Sequence, residues 1–377
     1  MFHLKNRLGI QIIINQKEFP FDRVNALDFL HMCCSTRLDI PMLHFRVKDA
    51  AKFLVADQDL IDGAAIQINI VIRNQIQSFS FRLHTFKQIF DTTGPSYDID
   101  AYLDSVSYWL ATTSKAVSGS SNTVLSQIAQ NCGISYYVGT TTADTQTWFP
   151  KNKRWREFAR SLALHGYVDD QSCMVLGFDL DNKLIYKNLI SKPTQKQAAV
   201  FITAKHAEGS FIATDYKIKN QSGFLNSVGG GYAGEIQVTS VMSTTQTSIN
   251  TTQGTRTTSK FMINSEVYNE VKLQGRVSFR PIDGGNVHQN YEKAAYQNVR
   301  VSSLFSFGLE LITTDVTGLN LLDYVGFVAS VPEGKPVQAY SGNYFITSRT
   351  IYIQGLNYFE KLELCNQGLN GPVSGLL

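Results

Sequence analysis

The sequence predicts a mainly β chain interrupted by an α+β insert, and three observations carry that prediction. Apolar and polar residues alternate along much of the first hundred positions. A helical pattern takes over near residue 118, and strand-like runs return after Lys192-Pro193. Alternation with period two suits a half-buried strand, because successive side chains leave it on opposite faces.

Within the first region, Ile10-Gln11-Ile12-Ile13-Ile14 and Leu43-His44-Phe45-Arg46-Val47 are short and rich in β-branched or aromatic residues. Ile66-Gln67-Ile68-Asn69-Ile70 and Phe79-Ser80-Phe81-Arg82-Leu83 alternate strictly, and Asp59-Leu60-Ile61-Asp62-Gly63 supplies turn chemistry before the former. Leu27 to Cys34 fits helix or strand equally well by periodicity. Residues 1 to about 115 therefore read as a small all-β domain, barrel or sandwich.

Ser118-Gly119-Ser120-Ser121-Asn122 breaks this pattern and offers Ser or Asn as a helix N-cap. Val124, Leu125, Ile128 and Ala129 then form one apolar stripe, which Gly133 ends. After Pro150, the residues Trp155, Phe158, Ala159, Leu162 and Ala163 fall at helical spacing, with Gly166 as the stop. Met174 to Phe178 and Lys183 to Tyr186 flank Asp179-Leu180-Asp181-Asn182, a β-hairpin pattern. Residues 116–192 thus read as a compact α+β unit inserted after the first β domain.

Strands are expected again at 198–204 and 211–218, followed by a flexible turn at Gly229-Gly230-Gly231. Thr239 to Ser259 is dominated by Ser and Thr and lacks an apolar stripe. It predicts a long loop, a solvated hairpin, or a segment ordered against a neighbour. Tyr291 to Val299 has helix-compatible composition. Strands follow at 309–312, 324–331, 344–353 and 359–365, and the Gly- and Asn-containing end from 366 to 377 reads as a loose tail. No short hydrophobic period marks a solenoid.

Composition narrows the function classes. Of 377 residues, 43% are hydrophobic and only 17% charged, below the usual quarter, which suits a surface partly covered by other subunits. A net charge of +3 is too mild for a dedicated nucleic-acid binder. No apolar run approaches the ~20 residues of a membrane span, so no stable membrane binding is expected. The start Met1-Phe2-His3-Leu4-Lys5 lacks signal-peptide features, and the chain reads as made and kept in the cytosol. Cys33, Cys34, Cys132, Cys173 and Cys365 form no CxxC pattern and read as small buried hydrophobes.

Three stretches, taken in order, resemble the central hub proteins of contractile-phage baseplates and the matching N-terminal part of type VI secretion VgrG spike proteins. The first is Ile40 to Val47 with Leu60-Ile61-Asp62-Gly63 and Ile66 to Ile70. The second runs from Val124 to Gly133, through Thr147-Trp148-Phe149-Pro150 and Trp155 to Ala163, to Phe178 to Tyr186. The third is Thr317-Gly318-Leu319-Asn320, Tyr324 to Val328, Ser341 to Arg349 and Tyr358 to Leu364.

This resemblance implies two tube-type β-barrel domains, at 1–115 and 193–365, around an α+β insert at 116–192. A Ser/Thr-rich loop or subdomain would lie at about 225–290. It also implies a homotrimeric ring that adapts a sixfold tail tube to a threefold central spike and leaves a channel. The implied partners are copies of the chain, the spike protein, the tail-tube or tube-initiator protein and the tape-measure protein terminus, with DNA only in transit. The implied place is the virion, in the tail baseplate. Because the chain ends near residue 377, the spike is expected as a separate polypeptide.

An enzyme reading finds no complete motif. His3, His31, His44, His84, His165, His206 and His288 stand singly, with no HExxH. Asp179, Asp181 and Asn182 resemble the start of a calcium loop but lack its Gly and its distant Glu. Gly229-Gly230-Gly231 lacks a phosphate-loop setting, to which Gly223 and Gly275 add nothing, and no GxSxG occurs. Asp169-Asp170 reads as a surface turn. Lys151, Lys153, Arg154, Arg156 and Arg160, interleaved with Trp148, Phe149 and Trp155, resemble a nucleic-acid platform, yet a solvated helix with an aromatic core stripe explains them better. The expectation is no catalytic, cofactor-binding or metal residue, and no enzyme. The alternatives are a baseplate-associated cell-wall or polysaccharide hydrolase, or a glycan-binding module.

Overall fold

The computed structural model describes residues 8–21, 25–50, 52–56, 60–72, 75–91, 94–169, 172–189, 198–203, 209–220, 234–240, 246–250, 276–282, 288, 290, 307–329, 341–355 and 357–366. Strands predominate, as the alternating runs require.

The first group comprises β1 (Gly9–Ile14), β2 (Lys17–Glu18), β3 (Asn25–Ser35), β4 (Met42–Asp49), the short helix α1 (Phe53–Ala56), β5 (Ala65–Ile72), β6 (Gln75–Asp91) and β7 (Gly94–Leu103). They lie in the order β2-β1-β5-β6-β7-β4-β3, with every neighbour antiparallel. Leu43, Phe45 and Val47 of β4 and Ile66, Ile68 and Ile70 of β5 face the core, while the intervening His44, Arg46, Gln67 and Asn69 do not. The ambiguous Leu27–Cys34 stretch is strand, with Leu30, Met32 and Cys34 buried between two neighbouring strands. Strand β7 escaped the sequence reading although Tyr97, Ile99, Ala101 and Leu103 alternate inward. Its Asp98 and Asp100 are poor strand formers that hide the pattern.

After α2 (Val106–Leu110) and β8 (Thr112–Thr113), the insert contains β9 (Val117–Gly119), α3 (Ser121–Cys132), β10 (Ser135–Val138), β11 (Gln146–Trp148), β12 (Lys153–Arg154), α4 (Trp155–His165), β13 (Met174–Asp179) and β14 (Lys183–Asn188). Ser120 caps α3, its Oγ accepting from the Thr123 N–H at 3.3 Å, and Gly133 closes the helix at φ +68°. The predicted stripes on α3 and α4 are the buried faces. Strands β13 and β14 form the expected hairpin, with Asn182 at φ +56° in its turn, and β10 pairs with β14 in parallel. Ser120→Ala should cost about 1 kcal/mol, read as a lowered urea midpoint at unchanged slope.

The last group is β15 (Ala199–Ile202), β16 (Phe211–Ile212), β17 (Asp215–Asn220), β18 (Gly234–Ser240), β19 (Gln246–Asn250), β20 (Arg276–Ile282), β21 (Phe307–Thr313), β22 (Tyr324–Val328), β23 (Gly342–Gln354) and β24 (Asn357–Asn366). Part of the Ser/Thr-rich stretch lies in the antiparallel pair β18–β19, within a separate three-stranded sheet. Gly229-Gly230-Gly231, the helix-compatible Tyr291 to Val299 and the tail beyond residue 366 lie outside the described residues.

The two groups repeat one topology. The order β3-β4-β7-β6-β5 recurs as β17-β21-β24-β23-β22, each neighbour again antiparallel. Irregularities recur as well. Strand β6 carries a bulge between Leu83 and Thr85 opposite β7, and β23 carries one between Ile346 and Ser348 opposite β24. The turn before each hairpin is the same. Gly63 donates to the Leu83 carbonyl and Leu83 to that of Ala64, as Leu322 donates to that of Ile346 and Ile346 to that of Asp323. Gly63 (φ +81°) and Leu322 (φ +64°) both take the left-handed conformation there. The groups differ where β1 runs antiparallel to β5 but β15 runs parallel to β22.

Candidate functional site

Two features stand out among the described residues: a buried junction between the repeated groups, and a patterned outer sheet face.

The junction is built on β23. One edge pairs with β22 over Gly342–Phe345 and then, past the bulge, with β3 over Ser348–Ile353, making one continuous sheet of the two groups. The inward row here includes Arg349, 2% exposed, beside Ile351 and Ile353. Its guanidinium meets Glu360 Oε1 at 3.2 Å, and Glu360 is itself fully buried. Glu360 also accepts from the Tyr358 hydroxyl, from Thr317 Oγ1 at 2.5 Å and from the Thr317 N–H at 3.3 Å. Burial alone would lower the pKa of Arg349. The opposing fields of Glu360, Cys34, Asp179 and Tyr358 outweigh it and hold the guanidinium above its ordinary value.

Asp179, from the insert hairpin, completes the junction. It accepts from the backbone N–H groups of Leu180 (2.6 Å) and Leu321 (2.5 Å), and Cys34 Sγ lies 3.7 Å away. Burial raises its pKa, while Leu321, Arg349 and Leu180 oppose the rise. The insert, β3 and the second group therefore meet at one carboxylate. Close packing accompanies it: a Cβ on Gly177 would come within 2.6 Å of Leu321 Cδ2.

On the outer face, strand register makes rows. Tyr352, His31, His44 and Asp100 lie side by side across β23, β3, β4 and β7. His44 Nδ1 is 2.7 Å from Asp100 Oδ1, and the His31 ring centroid is 4.2 Å from Tyr352 and 6.2 Å from His44. Burial, then the neighbouring His44, lowers the pKa of His31. The next row sets Phe29 beside Arg46 and Asp98. Arg46 Nε and Nη2 donate to Asp98 at 2.5 and 2.9 Å, with the guanidinium 5.4 Å from the Phe29 ring centroid. The second group carries a similar ladder of charges. Lys219 contacts Glu310 at 2.5 Å and Glu363 at 3.0 Å, and Lys361 contacts Glu310 at 3.1 Å. Charges in these rows are paired across strands.

The Arg46 hydrogen bonds hold Asp98 below its usual carboxylate pKa. A depressed folded-state pKa contributes stability above the unfolded value near 4, which is lost as pH falls through the folded value. Asp98→Asn should therefore cost about 1 kcal/mol at pH 7. The difference from wild type should shrink below about pH 4 in urea titrations across pH.

The remaining sequence candidates resolve differently. His31 and His44, single in the sequence, become neighbours on adjacent strands, and His288 Nε2 lies 3.2 Å from the His165 carbonyl. No group of three or more His, Cys, Asp or Glu side chains could hold a metal among the described residues. His3, His206, Asp170, Gly223 and Gly275 lie outside those residues. Asn182 accepts from Ser105 Oγ at 2.6 Å, so the acidic-Asn turn ties the insert to the first group. In the basic cluster, Trp148 is buried with Nε1 donating to the Gly119 carbonyl at 2.9 Å, and Trp155 packs against the core. Only Phe149 of the three aromatics is exposed, and Arg160 reaches Asp39 at 3.4 Å. The aromatic stripe is core, and no stacking platform forms among these residues.

Sequence reading missed Asp144. It is fully buried and accepts from Ser121 N–H (2.8 Å), Ser121 Oγ (2.5 Å) and Tyr167 N–H (2.8 Å), anchoring the start of α3. His288 bonds elsewhere, so this Ser–Asp contact is a helix anchor and lacks the relay of a nucleophilic triad. Arg349 and Glu360 were missed too. Strand parity could have found them, because both occupy inward positions of alternating runs.

No protein-family model matches the chain, and no curated protein matches it by sequence. Solved structures do. The tail protein from Neisseria meningitidis MC58 superposes with a TM-score of 0.59 at 8% identity, covering 96% of this chain and 98% of its own. The prophage MuSo2 43 kDa tail protein from Shewanella oneidensis gives 0.59 at 11% identity, with the same two coverages of 96% and 98%. The resemblance read from the residues thus holds at the level of fold: over nearly its whole length, this chain shares the fold of these two tail proteins.

Proposed function

We propose that this protein is a structural hub of a phage-tail baseplate and acts through shape and symmetry, without catalysis. The observation that carries the reading is the repeated five-strand order, with the two copies joined edge to edge through β23 and β3. A chain that presents the same unit twice lets a threefold assembly offer six like units. That is the geometry needed between a sixfold tail tube and a threefold spike. In this reading each group closes as a tube-type barrel, at 1–115 and 193–365, with the 116–192 insert outside the ring or toward the spike.

The partners are copies of the chain, the spike, the tail-tube or tube-initiator protein and the tape-measure terminus, with DNA passing through. The paired charges of the outer faces suit such a passage, since unpaired cations would add salt-sensitive grip on phosphates. The likeness in fold to the two tail proteins supports the reading.

Native mass spectrometry with negative-stain imaging tests it. A trimeric ring with a central hole is expected, and a compact monomer at high concentration would count against it. Incubation with peptidoglycan and capsular glycans should release nothing. Products that vanish on mutating one acidic pair would establish the hydrolase instead.

A further inference from the structure

The repeat leaves one edge used in one copy and vacant in the other. In the second group, the part of β23 beyond its bulge pairs with β3 of the first group. The matching part of β6, Thr85–Asp91, pairs with β7 on one side, and no strand pairs with its other edge among the described residues. Correspondingly, β3 has partners on both sides, whereas its counterpart β17 pairs only with β21 among the described residues.

The bulges and ladders fix the correspondence residue by residue. Thr85 matches Ser348, because each follows its bulge and faces Asp100 or Glu363. Phe86, Gln88 and Phe90 then match Arg349, Ile351 and Ile353. Those three are buried at the internal junction, at 2%, 0% and 0% exposure, whereas Phe86 is 41% and Phe90 75% exposed and Gln88 is exposed as well. An apolar residue in an inward register, left uncovered on an open strand edge, is a surface built for another strand.

We infer that the Thr85–Asp91 edge of β6 pairs antiparallel with the β17 edge of a second copy of this chain, reproducing between subunits the β23–β3 junction within one. The second copy is the occupant because this chain already holds the complementary edge, β17, in the topological place of β3. Leu30 and Met32 of β3 correspond to Tyr216 and Ile218 of β17 through their partners on β4 and β21. The internal pairs Ile353–Leu30, Tyr352–His31 and Ile351–Met32 therefore predict Phe90 opposite Tyr216, Ile89 opposite Lys217 and Gln88 opposite Ile218. The contact is head to tail, so it closes into a ring when the rotation per subunit closes. Main-chain bonds supply register, and the two Phe side chains supply burial. The choice of partner rests on the ring reading above; the choice of edges rests on the repeat.

Paired cysteines test it in the full chain. Ile89→Cys with Lys217→Cys places thiols on facing residues. Ile89→Cys with Lys219→Cys is offset by two residues, which takes the Cα atoms beyond the ~7 Å a disulfide tolerates. After oxidation, the first pair should give covalent oligomers on non-reducing electrophoresis, with the 89–217 link identified between chains by peptide mass. The offset pair and each single variant should give traces only. Phe86→Asp with Phe90→Asp should shift native mass from oligomer to monomer while circular dichroism stays unchanged. A ring that forms normally yet links neither pair overturns the edge pairing and leaves the hub reading standing. A chain that stays monomeric at high concentration and never links overturns both.

Discussion

Arg349→Ala should destabilise the folded chain by about 3–5 kcal/mol, the range for removing one partner of a buried ion pair. The cause is what it leaves behind. Glu360 would remain fully buried, with the Tyr358 hydroxyl and Thr317 as its remaining donors and its counter-charge gone. The pair itself need not be strongly stabilising, because desolvating two charges offsets most of their attraction. Arg349→Met with Glu360→Gln should therefore recover a large part of the loss. Urea unfolding of the two single variants and the double variant checks this through the coupling energy. Equal losses in single and double variants would show that Arg349 contributes through packing alone.

Gly166→Ala should cost about 3 kcal/mol, at the upper end of overpacking penalties. Gly166 follows α4, and sequence reading takes it for a conformational stop. Its backbone lies at φ −66°, ψ +145°, which any residue adopts. Space is the constraint: a Cβ there would collide with the Tyr186 hydroxyl and come within 2.9 Å of Ser121 Oγ. Both side chains are fully buried, and Ser121 is held by Asp144, so neither can swing into solvent. Tyr186→Phe in the Gly166→Ala background should restore much of the stability, since it removes the atom in closest conflict. Thermal melts of the four members of this cycle decide it, and an additive result would mean that the strain lies elsewhere.

The two sites differ in legibility. Gly166 was visible as a helix terminus for a reason the structure replaces with another. Arg349 and Glu360 sat in runs recognised as strands, and their parity with Ile351, Ile353, Leu362 and Leu364 marked their faces as inward, but nothing local paired the one with the other or set β23 against β3. Strand β7 was hidden because Asp98 and Asp100 carry poor strand propensity, and their partners Arg46 and His44 lie some fifty residues away. The repeat escaped for a related reason. Equivalent strands share order, bulges and turns, yet the connection from β3 to β4 is a six-residue turn while that from β17 to β21 holds a separate sheet. A varying offset defeats any fixed-period comparison.

The sequence by itself determined the mainly β class and the two principal helices and hairpin of the α+β stretch. Those rest on local periodicity, caps and turn chemistry, which neighbouring residues specify, whereas the likeness to baseplate hubs rested on resemblance, through the order of three stretches. Only the tertiary structure decided which edges pair, which charges are buried and which phenylalanines stand uncovered on β6. Hydrogen-bonded register between strands far apart in sequence sets those, and no local pattern encodes it.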